Sequence, residues 1–281
     1  MKSFEVGFIE RQPITHELIR TIRLLGEYMG KEALFKQQSP QILETLRQVA
    51  IIQSTESSMR IEGISAPLER IKALVKEKTT PANRSEQEIA GYRDVLNTIH
   101  ANAREMPFTP NVVLQLHRDL YKFMPEEGGR WKNTNNEIIE RRPDGSILVR
   151  FHPVPAHLTP EAMEILHTRF NSLWDEGRYD PLLLIPAYVL DFLCIHPFRD
   201  GNGRMARLIT LWLLYRSGME VGRYISLEKL VEDTRESYYD SLSKVSRGWH
   251  EANHTLLPWW EYFLGVMLLG CLLYTSPSPR D

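Results

Sequence analysis

A mainly α-helical fold with one β-hairpin is what this chain predicts. Apolar residues recur at helical spacing through most of its length, proline follows a capping residue at three places, and only one stretch alternates with the two-residue period of paired strands. Thr15 to about Gln37 is periodic, and Gln41 to Arg60 is a second such run. Thr109-Pro110, Thr159-Pro160 and Asp180-Pro181 each place an N-cap residue before a proline at the first helical position, where a missing N–H costs nothing. Beyond Thr159, the spacing of Ala162, Ile165, Leu166, Phe170 and Leu173 makes one buried face. Asp180-Pro181 opens the apolar helix LLLIPAYVLDFLCI; Pro197 must turn the chain, and MARLITLWLLYRSG starts another helix that ends at Gly218. The strand pair is NEIIERRPDGSILVRFHPV, two alternating runs around the turn signal PDG. TTPANRS, near 79–85, is the best internal boundary.

The 281 residues carry a formal net charge of −2 and 42% hydrophobic residues. That balance argues against a whole-surface nucleic-acid or membrane binder and describes an ordinary globular protein. The start, MKSFEVGFIERQP, lacks an apolar core of signal-peptide length, which predicts a cytoplasmic location. CLLYTSPSPRD, residues 271–281, reads as a translated sequencing adapter, so the native reading is expected to break off near Gly270 and Cys271 not to be native. Cys194 would then stand alone, without a disulfide or multi-cysteine metal site. The apolar run FLGVMLLGCLLY is read as a core helix, too short for a membrane span.

The chemistry concentrates in CIHPFRDGNGRMAR, residues 194–207. Gly201 and Gly203 permit close approach of backbone, and the following helix start supplies free N–H groups and a dipole for an anion. Arg204 and Arg207, three apart, share a face and can add bidentate phosphate contacts. Asp200 is a hard oxygen ligand suited to Mg²⁺, and His196 can take a proton at neutral pH. Individually these are weak signals: such a histidine more often caps or packs, an Arg pair is usually a solvated face, and Gly-x-Gly is often just a turn. Together they read as phosphoryl or nucleotidyl transfer.

Two rivals fit less well. GNGRMA matches the dinucleotide fingerprint of an oxidoreductase, with Glu220 where a ribose-binding acid is expected, but that fingerprint must follow a strand directly. GEYMGKE is one residue short of a P-loop and lacks Ser or Thr after the lysine.

HPFRDGNGRMAR resembles the Fic family signature H-P-F-x-[D/E]-G-N-G-R-x-x-R at every defined position. GRWKNTNNEIIERRPDGSILVRFHPV is similar to the family's segment leading into its flap hairpin, and ISLEKLVEDTRESYYDSL to its downstream helices. The resemblance covers about residues 10–262. It implies a Fic-type helical core with a β-hairpin flap after an N-terminal helical region, and a nucleotidyltransferase that moves AMP from ATP, with Mg²⁺, to a target protein's hydroxyl. His196 is then the general base, Asp200 the metal ligand, and Gly201, Asn202 and Gly203 the anion hole, with Asn202 near the α-phosphate. Arg204 and Arg207 hold the β- and γ-phosphates, Phe198 anchors the loop, and Tyr238 and Tyr239 wall the adenine, though they read equally well as core tyrosines. Hairpin 137–151 is the implied docking strand for a Ser, Thr or Tyr of the target, with self-modification and a homodimer left open.

SMRIEG, residues 58–63, looks like the family's inhibitory pattern [S/T]-x-x-x-E-[G/N]. Ser58 and Glu62 are one helical turn apart, Gly63 follows, and Glu62 is expected to pair with Arg207. The implied organisation is an N-terminal inhibitory region, 1–105, a Fic core, 106–250, a C-terminal helix, 251–270, and the adapter-like 271–281. A bifunctional or mainly AMP-removing enzyme remains open. So does a regulator that contacts DNA only through a winged-helix module beyond Gly270.

Overall fold

The computed structural model describes residues 1–38, 40–141 and 145–275. Two 3₁₀ turns, Lys2–Phe4 and Ile9–Arg11, lead into α1 (His16–Gln38) and α2 (Pro40–Ile61). The Leu18 amide donates to Thr15 Oγ1 at 3.1 Å, so the first predicted start holds. Next come α3 (Leu68–Val75), α4 (Arg84–Asn102) and α5 (Pro110–Leu120). The predicted boundary at 79–85 is the α3–α4 connection, where Asn83 caps α4 through the Glu86 amide. The apolar core is shared across residue 105, from Phe4 near one end to Met267 near the other.

The hairpin pairs β1 (Ile138–Arg141) antiparallel with β2 (Ile147–Phe151). Ile139 faces Val149, whereas Ile138 faces Phe151, leaving Arg150 as an extra residue that bends the ribbon. Pro143 and Asp144 of the predicted turn lie outside the described residues. Gly145, at φ 82°, adopts the left-handed conformation that a turn asks of glycine. Phe151 fixes the base of the hairpin by stacking on His250.

Helices α6 (Thr159–Glu176), α7 (Pro181–Ile195) and α8 (Asn202–Arg216) follow, then α9 (Leu227–Asp233), α10 (Arg235–Val245) and α11 (Leu257–Thr275). Asp180 caps α7 through the Leu182 amide at 2.8 Å, as predicted. Thr159 does not cap α6. A 3₁₀ turn at Ala156–Leu158 already feeds the helix, and the threonine hydroxyl instead donates to the Pro155 carbonyl.

Twelve of the fifteen residues of α7 are buried, because α6, α8 and α11 cover it on several sides. Its internal Pro186 removes one helical hydrogen bond; nearby, the indoles of Trp259 and Trp260 donate to the carbonyls of Pro186 and Leu183. α11 is longer than expected: its window Leu257–Tyr274 reaches the length and mean hydropathy (1.3) of a membrane span. Length therefore does not exclude a span. Burial of Trp259, Trp260, Leu264 and Met267 in the core is what makes it a core helix here. α2 has a different character: its buried face carries the hydroxyls of Ser54, Thr55, Ser57 and Ser58, and Ser57 bonds Glu232 of α9.

Candidate active site

His196 ends α7 in the left-handed conformation, φ 50° and ψ 60°. For a non-glycine residue that costs roughly 1–2 kcal/mol, so neighbours must hold it there. Its amide donates to the Phe192 carbonyl, and Nδ1 lies 3.2 Å from the Leu193 carbonyl. A carbonyl can only accept, so Nδ1 carries the proton and Nε2 keeps its lone pair. Burial lowers the imidazole from 6.5 to about 4, so it is neutral at physiological pH.

The turn from His196 to Gly201 is tied down on its inner side. Phe198 is fully buried, its ring stacked 3.6 Å from that of His117. His117 Nδ1 accepts from the Gly129 amide, which leaves Nε2–H to donate to the Asp200 carbonyl at 3.0 Å. The Asn202 side chain bonds both the amide and the carbonyl of Phe198, at 2.9 and 2.8 Å. It is therefore engaged in closing the loop, and what Asn202 presents to an anion is its backbone.

α8 starts at Asn202, so its first amides have no carbonyl one turn earlier to pair with. Gly201 sits at φ 83°, a conformation natural to glycine. Asp200 accepts from the Gly201 amide (2.7 Å), the Tyr121 hydroxyl (2.8 Å) and Arg204 (3.1 Å). Burial works against its charge, but Arg204 and these hydrogen bonds hold its carboxyl below the usual range. The carboxylate stays ionised and over half exposed, which suits Mg²⁺, a cation bound through one or two carboxylates plus phosphate oxygens. Among the described residues no group of three or more His, Cys, Asp or Glu forms a metal cage.

The two arginines part company. Arg207 donates Nε to Ser58 Oγ at 2.9 Å and Nη2 both to the Ser58 carbonyl at 3.0 Å and to Glu62 Oε1 at 2.7 Å. The same Glu62 oxygen occupies the space that a Cβ on Gly203 would need, so the carboxylate leans over the start of α8. Burial opposes the charge of Arg207, and Glu62 more than compensates for it.

Arg204 departs from expectation. It is 2% exposed, lies under the loop, and pairs with Glu88 of α4 at 2.5 Å and with Asp200. A buried carboxylate on another helix claims it, so it supports Asp200 from below and does not reach the cleft.

The cleft holds about 990 Å³ and is lined by Glu62, His196, Asp200, Gly201, Asn202, Gly203, Arg207, Tyr238 and Tyr239, with Ile138 and Ile139 of the hairpin along one rim. Tyr238 is buried against Trp259 and Tyr262, whereas Tyr239 is 45% exposed under the Arg235 guanidinium. Ser58 acts from behind Arg207. Gly63, at φ 76°, lies exposed past the end of α2 and is not among the residues that line this cleft. Sequence reasoning missed Glu88, His117, Tyr121, Lys132 and Asn136, which brace the loop. Only Lys132 and Asn136 had a signal, their place in GRWKNTNNE. The dinucleotide reading is overturned, because helix α7 and not a strand precedes GNGRMA.

Loop, hairpin and helical frame together define one class of protein. Residues 107–214 match the model of the Fic/DOC family, so this part of the chain is a Fic domain. The "Protein adenylyltransferase Fic" of Nematostella vectensis is 28% identical over 214 residues, 71% of this chain and 44% of that protein. A "Probable protein adenylyltransferase" of Aquifex aeolicus is 30% identical over 122 residues, 42% of this chain and 37% of that protein. The chain thus spans less than half the length of these curated relatives. A Fic family protein from Desulfovibrio desulfuricans G20 shares the fold with a TM-score of 0.76 at 23% identity, over 96% of this chain and 77% of that one. Fic-1 of C. elegans (aa134–508) shares it with a TM-score of 0.71 at 20% identity, over 92% and 70%.

Proposed function

We propose that this protein transfers AMP from Mg-ATP to a hydroxyl of a target protein, and that Glu62 holds it in a low-activity state. One observation carries the reading: a neutral His196 with a free Nε2 lines the same cleft as the open amides of α8 and the Asp200 carboxylate. Nucleotidyl transfer asks for those three things together.

Nε2 of His196 takes the proton of the incoming hydroxyl as its oxygen bonds to the α-phosphorus. The bond from that phosphorus to the oxygen bridging to the β-phosphate breaks, and pyrophosphate leaves with the negative charge. Amides at the start of α8, aided by the helix dipole, stabilise the charge that develops on the α-phosphate oxygens. Asp200 would hold Mg²⁺, which when bound neutralises phosphate charge. Arg207 is the cation for the outer phosphates once Glu62 releases it. Tyr238 and Tyr239 would flank the adenine. The hairpin's outer edge, with unpaired backbone groups, would receive the target segment as an added strand. The naming of the curated relatives as protein adenylyltransferases supports ATP and a protein acceptor.

The test uses ATP labelled in its α-phosphate, with the protein itself and a lysate as acceptors. His196→Ala should lower transfer by ~10²–10⁴ and leave Mg-ATP binding in place. Transfer at the parent's rate with unchanged binding would make His196 structural and overturn the mechanism.

A further inference from the structure

We propose that Lys132 and Asn136 form a clamp that positions the His196 base, with the Lys132 ammonium as its charged member. The proposal rests on the reading of His196 as the general base. Four consecutive carbonyls, from Ile195 to Phe198, run from the last residue of α7 into the turn that follows it, where no continuing helix supplies donors. Two residues take all four. Lys132 Nζ donates to Ile195 O at 2.9 Å, and the Lys132 amide to Pro197 O at 2.8 Å. Asn136 Nδ2 reaches His196 O at 3.3 Å and Phe198 O at 3.1 Å. Lys132 Nζ also donates to Asn136 Oδ1 at 2.8 Å, which fixes the amide's orientation and joins the two into one unit.

This unit grips the residues on both sides of a left-handed histidine. Such a conformation persists only where its surroundings over-determine it. Burying a lysine to 4% exposure is costly, and its hydrogen bonds to Ile195 O and Asn136 Oδ1 are what offset that cost.

Its charge acts on the ring as well. Burial lowers Lys132 to about 8, so it stays mostly protonated at neutral pH. Of the charged groups facing the imidazole, Glu62 and Asp200 favour protonation and Lys132 opposes it. Arg207 is neutralised by Glu62, and Glu140 and Arg150 on the hairpin pair with each other. Removing the ammonium takes away a cation that opposes protonation, with or without Glu62, so the ring takes up a proton more readily.

The experiment compares Lys132→Met and Asn136→Ala in a Glu62→Gly parent, by amide hydrogen exchange of the 194–205 peptide and by the pH dependence of kcat/KM for AMP transfer. Both variants should speed exchange in that peptide and lower kcat by about 10²-fold, the cost of a misplacement of about 1 Å, with KM for ATP nearly unchanged. Lys132→Met alone should move the acidic limb to higher pH, because Asn136→Ala removes no charge. Unchanged exchange in both variants, or an acidic limb that moves equally in both, overturns the proposal. If Lys132→Met does not fold, Asn136→Ala decides: parental kcat and exchange overturn the clamp. A parent that transfers no AMP defeats the functional reading, whereas the exchange comparison still decides the clamp.

Discussion

Replacing Glu62 with glycine should turn a poor nucleotidyltransferase into a strong one. In the structure Glu62 Oε1 lies 2.7 Å from Arg207 Nη2 and leans over Gly203. A phosphate oxygen needs about 2.7–2.9 Å to the same nitrogen, so phosphate and carboxylate exclude each other. ATP then binds with its outer phosphates displaced by more than about 1 Å, and each such misplacement costs on the order of 10²-fold in rate. Activation of at least ~10²-fold follows on the same reasoning. The stability cost is small. Losing a charge-assisted hydrogen bond removes about 1.5–3 kcal/mol, and a carboxylate one-third exposed belongs at the lower end. Arg207 keeps its two bonds to Ser58, so the guanidinium is not stranded. The assay is autoadenylylation with labelled ATP, comparing the wild type, Glu62→Gly, and Glu62→Gly with His196→Ala. Arg207→Ala should not mimic activation, because it removes the phosphate ligand along with the carboxylate's partner. A folded Glu62→Gly protein no more active than wild type, beside a silent His196→Ala control, would refute the inhibitory role.

Other outcomes follow from the same contacts. Asp200→Ala should weaken Mg-ATP binding about tenfold or more, ~1.4 kcal/mol, while metal-free ATP binding changes little; calorimetry with and without Mg²⁺ reads the difference. Arg204→Met should act mainly on the fold: it strands the buried Glu88 carboxylate, which keeps only the half-exposed Arg84, at a cost of about 3 kcal/mol in denaturant unfolding. Stability should also fall as pH drops from about 6.5 towards 4. His100 is lowered to about 3, and His117, His167, His196 and His254 to about 4, all chiefly by burial. The unfolded chain takes up these protons near 6.5 and the folded one does not, so each histidine contributes up to ~1.4 kcal/mol per pH unit across that window. Melting temperatures measured from pH 7.5 to 5 check this, and a flat profile would contradict the burial of these rings.

What could be read from the sequence was local chemistry. His196, Asp200 and the glycines lie within eight residues, and proline and glycine dictate where the helices around them stop and start. Glu62 and Arg207 meet across 145 residues, and only the SMRIEG motif hinted at their meeting. Arg204 shows the limit. The three-residue spacing places it on a helix face near Arg207, but not which neighbour waits there, and Glu88 on α4 has no signature. Thr159 likewise reads as a cap until the 3₁₀ turn before it supplies the geometry. Lys132 and Asn136 were visible as members of a familiar-looking segment, yet their target is a row of carbonyls, which no side-chain pattern reveals.

The burial of α7 on several sides has a thermodynamic consequence. A segment can open by itself only if little apolar surface is exposed when it leaves, and α7 leaves last. The catalytic turn hangs from its end, so it opens only when the contacts that brace it give way while α7 stays in place. The Glu62 carboxylate at the end of α2 stands near the opposite limit: it is one-third exposed and held to Arg207 by a hydrogen bond that water can replace. Release of the Glu62 carboxylate and loss of the His196 turn are therefore separate openings on one free-energy ladder. The first is a low rung, and the second stands higher, because it must break several buried hydrogen bonds at once.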